Sequence, residues 1–409
     1  MGQREEQTLR RYRAPISKPD HRRALRSVAL QFWVNGAVFS SFVPRFPELR
    51  GQIGVDLSGL GLLLTLGSLG GLIGSAAGGP LIGRFGSKRT MTAGALGLVC
   101  TLPVIGLVQA PTAFLVVVIV MHAFDAVTDM SMNLQGSWLS ARRAVPVMSR
   151  LHGLWSIGTM IGGAATAVAA SLLSLQAHLI VVTIVLLATI AYVAPGLLSQ
   201  HELQPAQPAT GNAAQPGRSG GRRLGFAFAL LAVATVGLEI VPSDWSALRL
   251  TDDFGLGPGP AGIGFVAFSA GMVTARLGGD FASARLGASR LTRWATSLSL
   301  AGLALATLTP MVALSVIGFA LAGSGSGVLF PRLYDQAAKA AGRPGMMLGA
   351  LTAGIRLGII IIPVSVGRLA NTGLSVGAAM ALVALPGALL LLLGGERILA
   401  ADPPVSVST

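Results

Sequence analysis

The chain has 409 residues, of which 52% are hydrophobic and 11% are charged, and its mean hydropathy is +0.69. A soluble protein of this length needs more charge to cover its surface, so the composition excludes an ordinary soluble domain and indicates a membrane protein. The net charge of +14 would suggest nucleic-acid binding in a soluble protein. Here the basic residues fall between apolar stretches, where membrane topology and anionic lipids explain them.

The first 26 residues are polar and basic, and the apolar stretch that follows is long enough to span a bilayer. We therefore predict a cytoplasmic tail over residues 1–26 rather than a cleaved signal peptide. A second cytoplasmic tail is predicted over residues 395–409.

Twelve stretches approach the roughly 20 apolar residues that a helix needs to cross a bilayer. Residues 200–223 separate them into two sets of six and are rich in Pro, Gly and Gln, which is typical of a linker. We predict an all-α membrane protein with twelve transmembrane helices in two six-helix bundles, over residues 27–199 and 224–394. The predicted spans lie near 27–47, 57–82, 90–109, 112–135, 150–174, 178–199, 224–248, 259–282, 291–309, 311–333, 347–368 and 374–394.

A short basic loop occurs twice, at residues 84–89 (RFGSKR) and 285–290 (RLGASR), 201 residues apart. This displacement is about half the chain and predicts a duplicated membrane half, as in secondary transporters built from two repeats. Two weaker matches support the repeat: residues 53–55 with 254–256, and Gly158 with Gly358.

The distribution of Arg and Lys predicts the orientation of the spans. With the N-terminus inside, both copies of the basic loop and the linker are cytoplasmic. The predicted outer loops keep only Arg45, Arg50, Arg249 and Arg368. We therefore expect a multi-pass protein of the plasma membrane with both termini in the cytoplasm.

The first basic loop carries a family signature. Residues 79–89 (GPLIGRFGSKR) resemble the pattern Gly-x-Leu-x-Asp-Arg-x-Gly-Arg-Lys of the major facilitator superfamily, with Gly83 in place of the acid. The resemblance implies the major facilitator fold, transport by alternating access, no cofactor and no enzymatic activity. In that family the acid pairs with a basic residue across the two halves and helps to close the cytoplasmic face.

A narrower resemblance is visible in residues 129–136 (DMSMNLQG), 148–158 (MSRLHGLWSIG) and 244–247 (DWSA). These segments are similar to the branch that contains rhizopine-transporter-like and fucose-permease-like proteins. That branch handles sugars and polyols, often with proton coupling, so the resemblance implies a small polar organic substrate.

Proton-driven efflux of drugs or metabolites is the alternative function. Such exporters usually carry Gly-Pro in helix 5 and an arginine in helix 4. Residues 158–163 (GTMIGG) contain no proline, and the fourth predicted helix contains no arginine. Both departures favour the permease-like interpretation, and efflux stays open.

The fourth predicted helix holds His122, Asp125, Asp129 and Asn133, spaced by three, four and four residues, which places them on one face. A charge near the bilayer centre is costly, so such residues face a cavity or a partner. Two carboxylates one turn apart are suited to exchange a proton. We predict proton coupling at Asp129 and Asp125, with a structural hydrogen-bond network as the alternative.

Further polar residues are predicted to line the central cavity. Glu239 and Arg356 lie near the middle of helices 7 and 11, and this arginine would hold either Glu239 or a substrate carboxylate. An internal ion pair that fixes helix packing is the alternative. Glu239 is also a candidate for proton coupling. The predicted substrate-binding residues are Asn35, Phe39, Asn133, Trp155, Glu239 and Arg356.

Arg276 and Asp280 lie four residues apart at the inner end of helix 8, a spacing that suits an intrahelical pair. We predict that they join Arg84, Lys88 and Arg285 in a cytoplasmic charge network that gates the carrier and stabilises its outward-open state. The alternative is that these residues only set the topology.

The expected partners are a small-molecule substrate, protons and the lipid bilayer, with no nucleic acid and a monomeric state. The histidines are scattered, which argues against a metal centre, and no Walker motif for ATP is present. A solute-sensing receptor and a lipid scramblase are further alternatives.

Overall fold

The computed structural model describes residues 18–143, 147–199, 219–339 and 344–395, so the predicted tails and linker fall largely outside it. Within these ranges the regular structure is helical. The α-helices are α1 (Lys18–Ser40), α2 (Phe46–Ile53), α3 (Leu57–Gly67), α4 (Leu69–Phe85), α5 (Ser87–Ile105), α6 (Pro111–Arg143), α7 (Met148–Leu172), α8 (Leu175–Val193), α9 (Ser219–Asp252), α10 (Pro258–Ala261), α11 (Ile263–Leu286), α12 (Ala288–Leu308), α13 (Val312–Lys339), α14 (Pro344–Ala370) and α15 (Val376–Leu390).

Ten helices in the described part are long and apolar enough to cross a membrane. Two of these spans contain a short break in the helix. α3 and α4 together form one span, and α10 and α11 together form another. α1 and α12 have 23 and 21 residues but are more polar. The predicted all-α membrane protein is confirmed, whereas the count of twelve spans in two bundles stays a prediction.

Several helices differ from the predicted spans. α1 begins at Lys18, inside the predicted tail, and α6 continues to Arg143. Arg and Lys are good helix formers, so a helix continues past its apolar stretch into the polar flank. The second predicted span is interrupted at Ser68, where a Gly-rich sequence weakens the helix.

The backbone repeats its turns at the spacing of the sequence repeat. Gly86 ends α4 with φ of 80°, and Gly287 ends α11 with φ of 72°, a region that favours glycine. Ser174 and Ser375 cap α8 and α15 in the same way, each hydroxyl accepting from the backbone N–H three residues later. The two pairs are 201 residues apart, so the duplication extends from the second helix of each half to the last.

Helix packing follows the same repeat. In the first half α1 packs on α7, and α4 and α5 pack on α6. In the second half α9 packs on α14, and α11 and α12 pack on α13. The two halves meet along two lines: α3 against α14, here called the first interface, and α7 against α11, the second interface.

The first interface brings two backbones into close contact. A Cβ atom on Gly61 would collide with the carbonyl oxygen of Pro363, and one on Gly367 would collide with that of Leu57. Thr65 Oγ1 donates to the carbonyl oxygen of Ile360 at 2.7 Å. Only glycine allows this approach, so the two helices are tightly joined there.

The second interface is equally close near the start of α11. Gly259 and Gly262 approach Ser171 and Ala167 of α7 so closely that an added Cβ would clash with both. Arg50 and Asp252 form an ion pair between the halves at the same end of the molecule. We call this end, which carries the turns around Gly54 and Gly255, the closed end.

Candidate functional site

Two acids of α6 each accept a hydrogen bond from an asparagine. Asp125 Oδ1 accepts from Asn35 Nδ2 of α1 at 2.8 Å. Asp129 Oδ1 accepts from Asn133 Nδ2, one turn further along α6, at 2.9 Å. The helical spacing therefore places both acids on one face. α1 supplies the partner of Asp125, which is the less exposed of the two.

His122 lies one turn before Asp125 and faces α1. Its Nδ1 is 2.9 Å from the carbonyl oxygen of Val118 in the same helix. Its ring lies 5.4 Å from that of Phe39, centroid to centroid. Phe39 and His122 thus form an aromatic contact between α1 and α6, next to the acid pair.

The amide of Asn35 connects α6 to α7. Its Oδ1 accepts from Trp155 Nε1 at 2.9 Å, while its Nδ2 donates to Asp125. The two contacts fix the orientation of the amide, because oxygen accepts and nitrogen donates. Trp155 in turn contacts α11, because its ring centroid lies 5.6 Å from the guanidinium of Arg276.

Arg276 of α11 binds residues from both halves. Its Nη2 donates to Glu239 Oε1 of α9 at 2.9 Å, and its Nη1 donates to Ser156 Oγ of α7 at 2.8 Å. The sequence predicted Asp280 as its partner. The structure gives it Glu239 and Ser156, and the side chain of Asp280 lies outside the described residues. The intrahelical pair of Arg276 with Asp280 therefore stays a prediction.

Arg356 of α14 reaches the first half. Its Nη2 donates to Ser75 Oγ of α4 at 3.1 Å, and its charge interacts with those of Asp125 and Asp129. Glu239 was one predicted partner, but its carboxylate is paired with Arg276. Arg356 therefore binds the first half at Ser75, and its pairing with a substrate carboxylate stays a prediction.

These charged groups line a space that solvent reaches. Asp129 is exposed although it lies within a membrane-spanning helix, and the side chains of Arg276 and Glu239 are 19% and 23% exposed. Charges exposed to lipid would be very costly, so their exposure indicates a polar cavity between the halves. Asn35, Trp155, Asp125, Asp129, Glu239, Arg276 and Arg356 are therefore one site.

The basic loops are separate from this site. Arg84 and Arg285 lie over the rings of Phe85 and Phe281 in their own halves, and Lys88 Nζ donates to the carbonyl oxygen of Pro195 at 3.1 Å. Arg276 lies about 13 Å along α11 from Arg285, at about 1.5 Å per residue. In this structure Arg276 binds Glu239 and Ser156, and the joint cytoplasmic network stays a prediction.

Ser75 and Ser156 were missed as functional candidates. A serine in an apolar helix is common, and its usual hydrogen bond to its own backbone gives no signal in the sequence. A comparison of the two halves would have found them, since Ser75 aligns with Arg276 and Ser156 with Arg356 at the displacements of the repeat. Among the described residues, no group of His, Cys, Asp and Glu is arranged to hold a metal ion.

The helical spans, the repeated packing and the charged cavity define a multi-pass membrane transporter. The chain belongs to the major facilitator superfamily, whose sequence model matches residues 28–240. The match covers the first half and the start of the second.

Two curated relatives match most of the chain. An uncharacterized MFS-type transporter of Yersinia pestis is 26% identical over 360 residues, covering 88% of this chain and 92% of the relative. Membrane protein MosC of Rhizobium meliloti is 27% identical over 337 residues, covering 79% and 77%.

Solved structures show the same fold. A variant of the nucleoside transporter NupG gives a TM-score of 0.72 at 12% identity and covers 92% of this chain and 99% of its own. A bacterial homologue of the human lysosomal transporter Spinster, in an inward-facing and occupied conformation, gives 0.66 at 13% identity and covers 94% and 96%.

Proposed function

We propose that the protein is a secondary active transporter that moves a small polar organic solute, sugar-like or polyol-like, across the plasma membrane by alternating access and proton coupling. The proposal rests on the hydrogen-bonded row of Trp155, Asn35 and Asp125, together with Arg356 on the opposite side. It offers amide, carboxylate and guanidinium groups beside aromatic rings, a combination that suits a compact solute with many hydroxyl groups. The nucleoside named for NupG also carries a sugar, so nucleosides join the candidate solutes.

The proposed carrier has twelve spans in two six-helix bundles and works as a monomer. With both termini in the cytoplasm, the closed end faces outward, and the cavity around Asp129 opens inward. Asn35, Phe39, Asn133, Trp155, Glu239 and Arg356 contact the solute in this account.

Proton coupling is assigned to Asp125 and Asp129. Two like charges one turn apart repel, and a proton on either removes the repulsion. Asn35 bonds both Asp125 and Trp155, so a change in the charge of this acid reaches the solute contacts directly. Glu239 has Arg276 as a compensating partner and is the secondary coupling candidate.

Substitution of Asp129 tests the coupling. We expect Asp129→Asn in proteoliposomes to abolish accumulation of radiolabelled inositol driven by a pH gradient, while exchange of inositol at equal concentrations continues. Asp56→Asn is the matched control. Asp56 lies at the closed end and caps α3, and asparagine also caps helices well, so accumulation stays normal. Accumulation that survives in Asp129→Asn would exclude this acid as the coupling site.

Proton-driven efflux is the second candidate, and the acid content of the cavity favours it. Asp125, Asp129 and Glu239 together outnumber the two arginines, and a cationic solute exchanged against protons would suit that balance. Inositol transport with no response to lipophilic cations would reject efflux.

A further inference from the structure

A groove runs between α5 and α8 at the end of the molecule opposite the closed end. It has a volume of about 450 Å³ and lies between helices that belong to two different membrane spans. A short 3₁₀ turn, Ala194–Gly196, follows α8 and forms one wall. The groove is therefore outside the central cavity and none of the site residues described above lines it.

The groove continues as an apolar stripe along α5. Ala93, Leu96, Cys100 and Val104 are exposed and recur every three or four residues, so they share one face of the helix. Because α5 belongs to a membrane span, this face meets the acyl chains of the bilayer. The small side chains of Ala93 and Ala191 leave room in the groove for a chain to lie beside Leu96.

Two cations line the polar end of the groove. Lys88 Nζ donates to the carbonyl oxygen of Pro195 at 3.1 Å, and an ammonium has two further N–H donors. Arg89 is exposed, and its guanidinium forms no hydrogen bond or ion pair with a described residue. The groove therefore presents unused donors next to an apolar wall.

A third cation lies on α1. Gly196 lets α1 approach the turn closely, since an added Cβ would collide with Ser27 Oγ and lie 3.1 Å from Arg23 Cγ. Arg23 is exposed, and it pairs with no acid whose side chain the structure describes. None of the described residues that line the groove is an acid. The polar end thus carries a net positive charge.

A buried glutamine of α6 fixes the backbone beneath these cations. Gln135 Nε2 donates to Ser87 Oγ at 3.1 Å and to the carbonyl oxygen of Leu198 at 3.2 Å. Its Oε1 accepts from the backbone N–H of Leu198 at 3.1 Å. These bonds join the start of α5 to the chain that follows α8, so the two sides of the polar end are held together before any ligand binds.

We propose that this groove binds an anionic phospholipid. Lys88 and Arg89 bind the phosphate, with Arg23 beside them, and one acyl chain lies along Ala93 and Leu96. Ammonium and guanidinium groups bind phosphate well, and a basic pocket between membrane helices suits a lipid headgroup. A zwitterionic lipid also carries a cation, which the positive end repels, so the groove selects a negatively charged headgroup.

The site goes beyond the proposed transport, since it does not depend on the solute or on proton coupling. With the proposed orientation of the spans, the bound lipid belongs to the cytoplasmic leaflet. The internal repeat provides a comparison within the same molecule. Arg290 aligns with Arg89 at the displacement of the basic loop, whereas Ser289 takes the place of Lys88. We therefore expect no comparable lipid site in the second half.

Quenching of a fluorophore by brominated lipids tests the site. Cys100, the single cysteine, is exposed on the apolar stripe one turn beyond Leu96 and takes a bimane label. The labelled protein is reconstituted in phosphatidylcholine with an increasing fraction of brominated phosphatidylglycerol or brominated phosphatidylcholine. We expect half-maximal quenching at an at least threefold lower fraction of the anionic lipid, because each basic residue near the surface attracts it by roughly 1 kcal/mol before screening by salt. Equal quenching by the two lipids would overturn the site.

Substitutions separate the two parts of the groove. Arg23→Gln with Arg89→Gln removes two charges, and Ala93→Phe fills the apolar part while keeping the charges. We expect either change to abolish the preference for phosphatidylglycerol. Arg290→Gln is the matched control, because it removes an exposed arginine from the equivalent turn of the second half, and it keeps the preference. A preference that survives the double substitution would overturn the placement of the phosphate.

The position of the label provides a second control. Ala301 is exposed on α12, 201 residues after Cys100, so Cys100→Ser with Ala301→Cys moves the bimane to the equivalent face of the second half. We expect the two lipids to quench this label equally. The same preference at both positions would mean that anionic lipid gathers around the whole basic end of the protein, and it would overturn a specific site in the groove.

Discussion

At the scale of single residues, Asn35 is the connecting group of the site, because its amide bonds an acid on one side and an indole on the other. An amide flip would turn both contacts into repulsive ones, so its orientation is fixed by its neighbours. A solute that contacts Trp155 therefore acts on the hydrogen bond that orients Asp125. In the proposed carrier, Asn35 thus connects the solute contacts directly to a coupling acid.

Trp155→Phe tests this connection. The variant keeps an aromatic ring beside Arg276 but removes the donor to Asn35 Oδ1, at a cost of about 1–2 kcal/mol for the unsatisfied acceptor. We expect inositol to bind about tenfold more weakly, as measured by isothermal titration calorimetry. Trp294→Phe is the control, because Trp294 is 66% exposed and lies on α12, which contributes no residue to the site described above. Equal affinities in the two variants would contradict the role of the indole.

At the scale of helices, the start of α15 is held by an acid from the end of α9. Asp253 accepts from the backbone N–H groups of Val376 and Gly377 at 2.9 and 2.8 Å, and it pairs with the buried Arg249 at 2.6 Å. Arg249 in turn donates to carbonyl oxygens at the end of α12. One ion pair therefore joins three helices of the second half.

Asp253→Ala removes this joint and leaves a buried guanidinium without its acid. We expect the free energy of unfolding to fall by about 1–3 kcal/mol or more, seen as a melting temperature several degrees lower in detergent. The neighbouring Asp252→Ala is the matched control. It breaks only the partly exposed pair with Arg50, which contributes about 1 kcal/mol or less to stability. A larger thermal shift for Asp252→Ala than for Asp253→Ala would refute this account.

The sequence predicts where the helices lie better than it predicts the residues at which they begin and end. The length of an apolar stretch locates a span. Where the polar flank forms helix as readily as the span itself, as at Lys18 and Arg143, the sequence does not mark where the helix begins or ends. The break at Ser68 also has no strong signal, because the surrounding glycines suit both a bend and close packing.

At the scale of the whole molecule, duplication explains both what the sequence predicted and what it missed. The repeated loop predicted two related halves, and the repeated turns and helix pairs agree with it. The polar face of α6 was visible because four residues share one helix. Partners such as Arg276 with Ser156 come from different halves, and no spacing within one helix reveals them.

Reasoning within single helices could not find the partners that the two arginines have in the structure. Arg276 and Asp280 have suitable spacing, and Glu239 and Arg356 have suitable depth. The pairs that form instead depend on which helices meet at the interfaces between the halves. Only the assembled fold decides that Arg276 pairs with Glu239 and that Arg356 binds Ser75 of α4.

We propose above all that a small polar solute binds in the cavity between Asn35, Trp155 and Arg356. The most direct test is a thermal-shift screen of the purified protein with sugars, inositols, amino-polyols and nucleosides set against lipophilic cations and common antibiotics. We predict stabilisation by a member of the first group that is lost in Arg356→Ala and kept in Trp294→Phe. Stabilisation by lipophilic cations alone, or stabilisation by a polyol that persists in Arg356→Ala, would contradict the claim.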